Sequence, residues 1–230
     1  MKVLDWLSDP INKMEEGAVS GGTDKQSSGN DYTSFYNHFF KHMANEPIRL
    51  LELGTGVACA SLRMWESFFP NAKIYGVDCA KDAKKHERQS TVIIGNLNDK
   101  IFLKQLISQI GSLFDIIVDD ASHHVNQQKF LFMEMFSHVK PGGVYVVEDL
   151  GTSYLPGFGG GLRKKENMVE EIKNLVDYIN RDFFRSTSFF KNRIEEPYHT
   201  TSSSKFPHPY ETDIHSIYLC RGMAFIFKGE

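Results

Sequence analysis

The segment LLELGTG, Leu50 to Gly56, runs from a short apolar stretch directly into a glycine turn. An apolar run of this length that stops at glycine is typical of a buried strand. Gly54 and Gly56 allow the backbone to bend sharply and a ligand to approach it closely. In an open sheet of parallel strands, ligands bind beyond the carboxyl ends of the strands. The segment therefore predicts the first strand of such a sheet and the start of a ligand site.

Further apolar runs follow this strand, and segments of helical period separate them. The runs are KIYGVD (73–78), STVIIG (90–95), FDIIVDD (114–120) and GGVYVVED (142–149). Near-continuous apolar strands that alternate with helices indicate a parallel sheet covered on both faces. Residues 213–229 contain two β-rich stretches around Arg221-Gly222 and predict an antiparallel hairpin at the sheet edge. The predicted fold class is therefore α/β, with a mostly parallel sheet.

We expect one domain over residues 1–230, divided into four consecutive parts. These parts are a helical and loop cap (1–47), a cofactor-binding core (48–150), an acceptor loop and helix (151–212) and the terminal hairpin (213–230). A chain of this length is sufficient to bury a substantial core in a single α/β domain.

Composition argues against several classes of partner. The formal net charge of −3 gives no electrostatic case for nucleic acid, which binds strongly basic faces. No stretch approaches the roughly 20 apolar residues of a membrane span, and the N-terminus lacks the apolar run of a signal peptide. The three cysteines are scattered, form no CxxC pair and indicate a reducing compartment. We expect a cytoplasmic protein with a small-molecule partner, and the sequence leaves a homo-oligomer open.

The ends of the first two strands suit a ligand that contains a ribose. Asp78 ends the second strand, where a carboxylate can accept hydrogen bonds from the ribose hydroxyls. The alternative role for Asp78 is a turn aspartate that caps the following helix. A nicotinamide or flavin cofactor is disfavoured, because Cys59 stands at the third glycine position of the GxGxxG fingerprint. Glu52 would also repel a pyrophosphate.

The motifs ELGTG, FDIIVDD and KPGGVYVVED and the terminal hairpin resemble the class I S-adenosylmethionine-dependent methyltransferases. The resemblance implies a Rossmann-like, mostly parallel seven-stranded sheet with a C-terminal antiparallel hairpin. It also implies S-adenosylmethionine as cofactor, contacted by residues of the first two strand ends: Glu52, Gly54, Thr55, Gly56 and Asp78. After the third-strand glycine the family often has an aspartate near the adenine, and this chain has Asn96 at that position.

Three other motifs resemble the metal-dependent sugar O-methyltransferases of macrolide biosynthesis, the mycinamicin type. They are GTDK (22–25) followed by Tyr32 and Tyr36, DDASHH (119–124) and VEDLGTSYLPGFGG (147–160). The resemblance implies that Asp120, Glu148 and Asp149 are metal ligands and that His123 is the base. On the resemblance alone, we expect the cap residues Thr23, Lys25 and Tyr32 to fold over the cofactor.

The same residues have a physical case of their own. Asp120 follows one strand while Glu148 and Asp149 end the next, so parallel neighbours would bring three carboxylates to one edge of the sheet. Clustered carboxylates repel one another unless a cation lies among them. Hard oxygen ligands suit Mg²⁺ or Mn²⁺, and zinc is the alternative if His123 is a ligand. Each acidic cluster taken separately also fits an ordinary role as a helix cap or a solvated loop.

Histidine is the side chain used most often as a general base, and His123 is the expected one. Successive residues leave a strand on opposite faces, so we expect Asp119 on the cofactor side and Asp120 at the metal. Tyr154 and Phe158 lie in a glycine-rich loop that covers a sugar-bearing acceptor or is simply a surface loop.

The expected function is S-adenosylmethionine- and divalent-metal-dependent O-methylation of a sugar or a glycosylated natural product. The alternatives are a Mg²⁺-dependent catechol- or phenol-type O-methyltransferase and a non-catalytic S-adenosylmethionine-binding module.

Overall fold

The computed structural model describes residues 13–85, 89–180 and 214–230. Within these ranges the chain forms a seven-stranded sheet of order β3-β2-β1-β4-β5-β7-β6. The strands are β1 Arg49–Leu53, β2 Lys73–Asp78, β3 Thr91–Ile94, β4 Phe114–Asp119, β5 Val139–Val147, β6 Ile214–Cys220 and β7 Met223–Lys228. The first five strands are parallel, and β7 runs antiparallel to both β5 and β6. The predicted fold class is confirmed.

Among the residues that the structure describes, six α-helices cover the sheet on both faces. They are α1 Lys13–Gly21, α2 Thr33–Phe40, α3 Ala60–Phe68, α4 Lys100–Ile110, α5 Val125–Met135 and α6 Met168–Ile179. One core packs α1, α2 and α3 on the sheet, and the other packs α4, α5 and α6 on the opposite face. Neighbouring strand residues alternate between them: Leu50 belongs to the first core and Leu51 to the second. Burial on both faces explains why the strands appear as continuous apolar runs.

Helix α1 lies in the predicted helical and loop cap (1–47), although the sequence analysis assigned no helix to these particular residues. Met14 and Ala18, one turn apart, are fully buried against α3, whereas the rest of α1 is polar or glycine except for the exposed Val19. Residues 1–12 and 181–213 lie outside the described ranges. The division into four parts includes those residues and stays a prediction. No helix in the described ranges is long and apolar enough to cross a membrane.

Backbone hydrogen bonds extend past the ends of β1, β4 and β5 and align the residues that follow them. The N–H of Asp120 donates to Leu53 O (2.9 Å), and the N–H of Glu148 donates to Asp119 O (3.0 Å). The glycine turn after β1 therefore lies beside the exit of β4. A Cβ at Gly54 would stand 2.2 Å from Asp120 O, and its φ of +91° is one that L side chains rarely adopt. Glycine at this position lets the two strand exits meet.

We expect Gly54→Ala to lower the free energy of unfolding by about 2–5 kcal/mol, from backbone strain and overlap together. Gly56→Ala is the matched control, because Gly56 also has a positive φ of +61° but a Cβ there meets no atom within 4 Å. The control should lose only about 1–2 kcal/mol. Denaturant titration of both variants measures the difference, and equal losses would contradict this account of the turn.

Candidate active site

A cleft of about 650 Å³ opens where the parallel strands end at their carboxyl termini. This volume is within the usual range of small-molecule sites. The cleft is bordered by nine residues that the sequence singled out: Thr23, Gly54, Thr55, Gly56, Asp78, Asn96, Asp120, His123 and Asp149. The fold thus brings the cap, the glycine turn, the second and third strand ends and the acidic motifs around one space.

Asp78 ends β2 and holds the glycine turn. Its Oδ2 accepts hydrogen bonds from the N–H groups of Thr55 (3.1 Å) and Gly56 (2.8 Å), and its Oδ1 accepts one from Ala80 N–H (2.7 Å). A carboxylate has about four acceptor positions, so Oδ1 retains capacity for a further donor. Asp78 therefore combines the turn role with a position on the cleft.

Glu52 and Asp119 are buried in the sheet and do not border the cleft. Glu52 Oε2 accepts a hydrogen bond from Ser61 Oγ (2.7 Å), and burial raises the pKa of Glu52 to about 7. Asp119 lies on the same strand face as Ile117 and accepts a hydrogen bond from the hydroxyl of Tyr145 (3.1 Å). Burial raises the pKa of Asp119 to about 8. Asp119 therefore does not border the cleft, and its expected contact with the cofactor stays a prediction.

Asp120, His123 and Asp149 form a cluster at the inner end of the cleft. Their candidate ligand atoms lie within 4.8 Å of one another. His123 Nε2 is 3.5 Å from Asp149 Oδ2 and 3.9 Å from Asp120 Oδ1. His123 and Asp149 both have left-handed backbones, with φ of 58° and 53°. Thr152 Oγ1 donates to the carbonyl oxygens of both residues (2.9 and 2.8 Å) and so supports the two strained positions.

Glu148 is oriented away from this cluster and is fully buried. Its Oε2 is 2.5 Å from Lys25 Nζ, and its Oε1 accepts a hydrogen bond from the hydroxyl of Tyr36. Lys25 Nζ also lies 2.5 Å from Asp120 Oδ2 and 3.8 Å from Glu52 Oε1. Burial acts to lower the pKa of Lys25, but the neighbouring carboxylates outweigh burial and hold that pKa well above its usual value. Lys25, expected at the cofactor, instead pairs with the carboxylates.

Tyr32, also expected at the cofactor, extends from the cap to another acid of the site, Asp149. Its hydroxyl donates to Asp149 Oδ1 (2.7 Å), and burial raises the pKa of Tyr32 well above its usual value. Gly222, in the turn between β6 and β7, packs against the tyrosine, because a Cβ there would stand 2.6 Å from the hydroxyl oxygen. Gly222 O accepts a hydrogen bond from Leu150 N–H (2.9 Å). The terminal hairpin therefore supports the acidic end of β5.

Tyr154 and Phe158 lie on the loop after Asp149, outside the cleft lining. Tyr154 is 46% exposed, and the ring of Phe158 lies 6.3 Å from the ring of His124. Two short 3₁₀ turns, Leu150–Tyr154 and Pro156–Phe158, give this loop a defined path. Their contact with an acceptor stays a prediction.

Sequence reasoning missed three residues that shape the site: Tyr36 as a partner of Glu148, Thr152 as a support for His123, and Gly222. Tyr36 had a signal, since it follows Tyr32 by one helical turn and therefore faces the same side. Gly222 had none, because its contacts with Tyr32 and Leu150 join distant parts of the chain. Thr152 lies in the motif that contains Asp149, but its contact with His123 joins two separate motifs and had no signal.

A parallel sheet with this strand order, an antiparallel C-terminal hairpin and a glycine-turn cleft defines the class I methyltransferase fold. Residues 44–211 match the family model described as a methyltransferase domain, and the chain belongs to that family.

The chain is similar to several named O-methyltransferases. The chain is 32% identical over 207 residues to the mycinamicin VI 2''-O-methyltransferase of Micromonospora griseorubida, covering 86% of this chain and 48% of the relative. It is 33% identical over 216 residues to the demethylmacrocin O-methyltransferase of Streptomyces fradiae, covering 90% and 51%. The chain thus spans about half the length of these relatives.

Solved structures of the MycE methyltransferase from the mycinamycin biosynthetic pathway match the same fold. The complex with Mg and SAH has a TM-score of 0.80 and 30% sequence identity, and the match covers 95% of this chain and 55% of that one. A second MycE complex holds Mg, SAH and mycinamycin VI, with a TM-score of 0.78.

The buried carboxyl of Asp119 predicts a pH dependence of stability. Its pKa of about 8 in the folded protein is above the ordinary value, so its stabilising contribution is complete below about pH 4. That contribution is lost as the pH rises from about 4 to about 8, by up to about 1.4 kcal/mol per pH unit, and the profile levels off above the folded pKa. Asp119→Asn keeps a neutral acceptor for Tyr145 and should flatten this part of the profile. Urea titrations between pH 5 and 9 test the expectation, and parallel profiles for the two proteins would contradict it.

Proposed function

We propose that this chain is the methyltransferase domain of an S-adenosylmethionine- and divalent-metal-dependent enzyme that methylates a sugar hydroxyl of a glycosylated small molecule. One observation carries the proposal: Asp120, His123 and Asp149 converge on the same cleft that the glycine turn and Asp78 border. The named relatives are O-methyltransferases, including one named for a rhamnosyl-bearing tetracenomycin, and the MycE complexes hold Mg and SAH. Each of these facts supports the proposal for this chain.

The cleft fits S-adenosylmethionine. Gly56 leaves open space where a Cβ would stand, so a ligand can approach the backbone of the turn. Asp78 retains acceptor capacity for a ribose hydroxyl, and Asn96 borders the same space. Thr23 approaches from the cap. These residues would hold the nucleoside part of the cofactor.

The acidic cluster fits a hard divalent cation. Asp120 and Asp149 offer carboxylate oxygens, which suit Mg²⁺ or Mn²⁺. Glu148 lies beside them with both oxygens engaged by Lys25 and Tyr36, and it stays in the proposed ligand set from the family resemblance. The ammonium of Lys25 lies 2.5 Å from both Asp120 Oδ2 and Glu148 Oε2, which indicates that these acids require positive charge beside them.

In this function His123 takes the proton from the acceptor hydroxyl. When bound, S-adenosylmethionine supplies an electrophilic methyl group and the divalent ion supplies charge that acidifies a hydroxyl. Nε2 of His123 lies between the carboxylates of Asp120 and Asp149, which stabilise the imidazolium formed by proton transfer. Thr152 holds the backbone of both His123 and Asp149 and fixes the base relative to the acids. Tyr32 orients the Asp149 carboxylate by its hydrogen bond.

We propose a small-molecule acceptor without a nucleic-acid partner on the basis of the net charge of −3. A cytoplasmic location rests on the scattered, unpaired cysteines alone.

Removal of the divalent ion should abolish methyl transfer to a panel of glycosylated macrolides, and added Mg²⁺ or Mn²⁺ should restore it. Asp149→Asn should weaken Mg²⁺ binding at least about tenfold in calorimetry, because it removes a charged oxygen ligand. Asp177→Asn is the control, since Asp177 is an exposed carboxylate on α6 that does not border the cleft. Full turnover in EDTA would sink the metal role.

His123→Asn should lower kcat by about 10²–10⁴-fold, the usual contribution of a positioned general base. Asparagine tolerates the left-handed backbone of this position, so the variant tests the imidazole and spares the turn. Affinities for SAH and Mg²⁺ should stay within about twofold of the parent. His124→Asn is the neighbouring control and should keep its rate. Loss of the ion from His123→Asn would make the histidine a ligand and favour zinc.

A further inference from the structure

We propose that Lys25 is a built-in counter-cation of the acidic site, a positioning residue that keeps the carboxylates assembled and against whose charge a divalent ion must bind. The part of this inference that concerns the ion rests on the function proposed above. The part that concerns the metal-free protein stands by itself.

Lys25 Nζ lies where three neighbouring strands end. Glu52 belongs to β1, Asp120 follows β4 and Glu148 follows β5, and their carboxylate oxygens are 3.8, 2.5 and 2.5 Å from the ammonium. Lys25 is 1% exposed. A buried ammonium without partners, or buried carboxylates without a cation, would each cost several kcal/mol. Asp120 and Glu148 therefore satisfy the ammonium by hydrogen bonds, while Glu52 Oε1 lies near the charge without a hydrogen bond.

Hydrogen bonds of the loop between α1 and α2, the cap loop, fix the position of Lys25. Lys25 O accepts hydrogen bonds from Tyr32 N–H (3.0 Å) and Thr33 N–H (3.2 Å), which closes the loop at the start of α2. Glu15 of α1 accepts hydrogen bonds from Ser27 N–H (3.0 Å) and from the hydroxyls of Ser27 and Thr33. The loop is thus fixed to both cap helices, and Lys25 has a defined position above the strand ends.

The distribution of contacts separates two groups of oxygens. Lys25 engages Asp120 Oδ2 and Glu148 Oε2, whereas Asp120 Oδ1 and Asp149 Oδ2 face His123. A divalent ion at the second group would lie near a fixed positive charge. Both cations would lie beside the carboxylate of Asp120, and like charges that share one carboxylate repel even when solvent screens them in part. Removal of the lysine charge should therefore lower the melting temperature of the metal-free protein. It should also increase the rise in melting temperature that the ion causes.

Lys25→Met keeps most of the side-chain volume and removes the charge. In EDTA its melting temperature should fall well below that of the parent, and the rise on adding Mg²⁺ should exceed the parent's rise. Lys129→Met is the matched control: Lys129 pairs with the buried Glu171 at 2.8 Å outside the site, and its response to Mg²⁺ should equal the parent's. A Lys25→Met protein as stable as the parent in EDTA, with lower affinity for SAH, would overturn the proposal and make Lys25 a cofactor contact.

The double variant Lys25→Met, Glu148→Gln covers the case in which the single variant does not fold. Removing one carboxylate charge together with the ammonium should recover at least half of the stability lost in EDTA, since the remaining acids repel less. No recovery would show that Lys25 contributes packing rather than charge and would overturn the proposal. If Mg²⁺ fails to stabilise the parent itself, the proposed metal function fails, while the EDTA comparison still decides the role of Lys25.

Discussion

Several carboxyl groups at the ends of adjacent parallel strands create the constraint on which this site depends. Parallel strands end on one edge, so Glu52 near the end of β1 and the acids that follow β4 and β5 are forced together. Such a cluster is stable only with compensating positive charge and hydrogen-bond donors. The cap supplies them: Lys25 pairs with Asp120 and Glu148, while hydroxyls of the cap tyrosines donate to Glu148 and Asp149. The cap is therefore part of the site and not a covering added to a finished sheet.

The same edge also explains why the site combines rigidity with strained backbone. The strands β1 and β4 that lead into it are almost entirely buried on both faces. The residues that turn the chain back toward the cleft, His123 and Asp149, take left-handed conformations that cost of order 1–3 kcal/mol each. Thr152 and the terminal hairpin hold these turns in place. Energy gained in the sheet core thus maintains an unfavourable geometry where the chemistry is proposed.

The relatives give this arrangement a chemical context without deciding the acceptor. The chain spans about half the length of the named O-methyltransferases, and the residues that match the family model, 44–211, include the glycine turn and the acidic motifs. The loop with Tyr154 and Phe158 lies beside the acids but outside the cleft. Selection of an acceptor by this loop would require contacts outside the cleft that Asp78 and the glycine turn border.

The sequence by itself determined the α/β fold class with its mostly parallel sheet, the glycine turn and the presence of acids at the strand ends. These are local properties, because burial periodicity, turn residues and strand termini are all encoded within a few neighbouring residues. Only the tertiary structure decided the partners of those acids. Lys25 is 95 residues from Asp120 and 123 from Glu148 along the chain, and no periodicity connects residues so far apart. Tertiary contacts likewise orient Asp119 and Glu148. Asp119 accepts a hydrogen bond from Tyr145, and Glu148 accepts one from Tyr36 of the cap. Only the packed structure selects which buried donor meets each carboxylate.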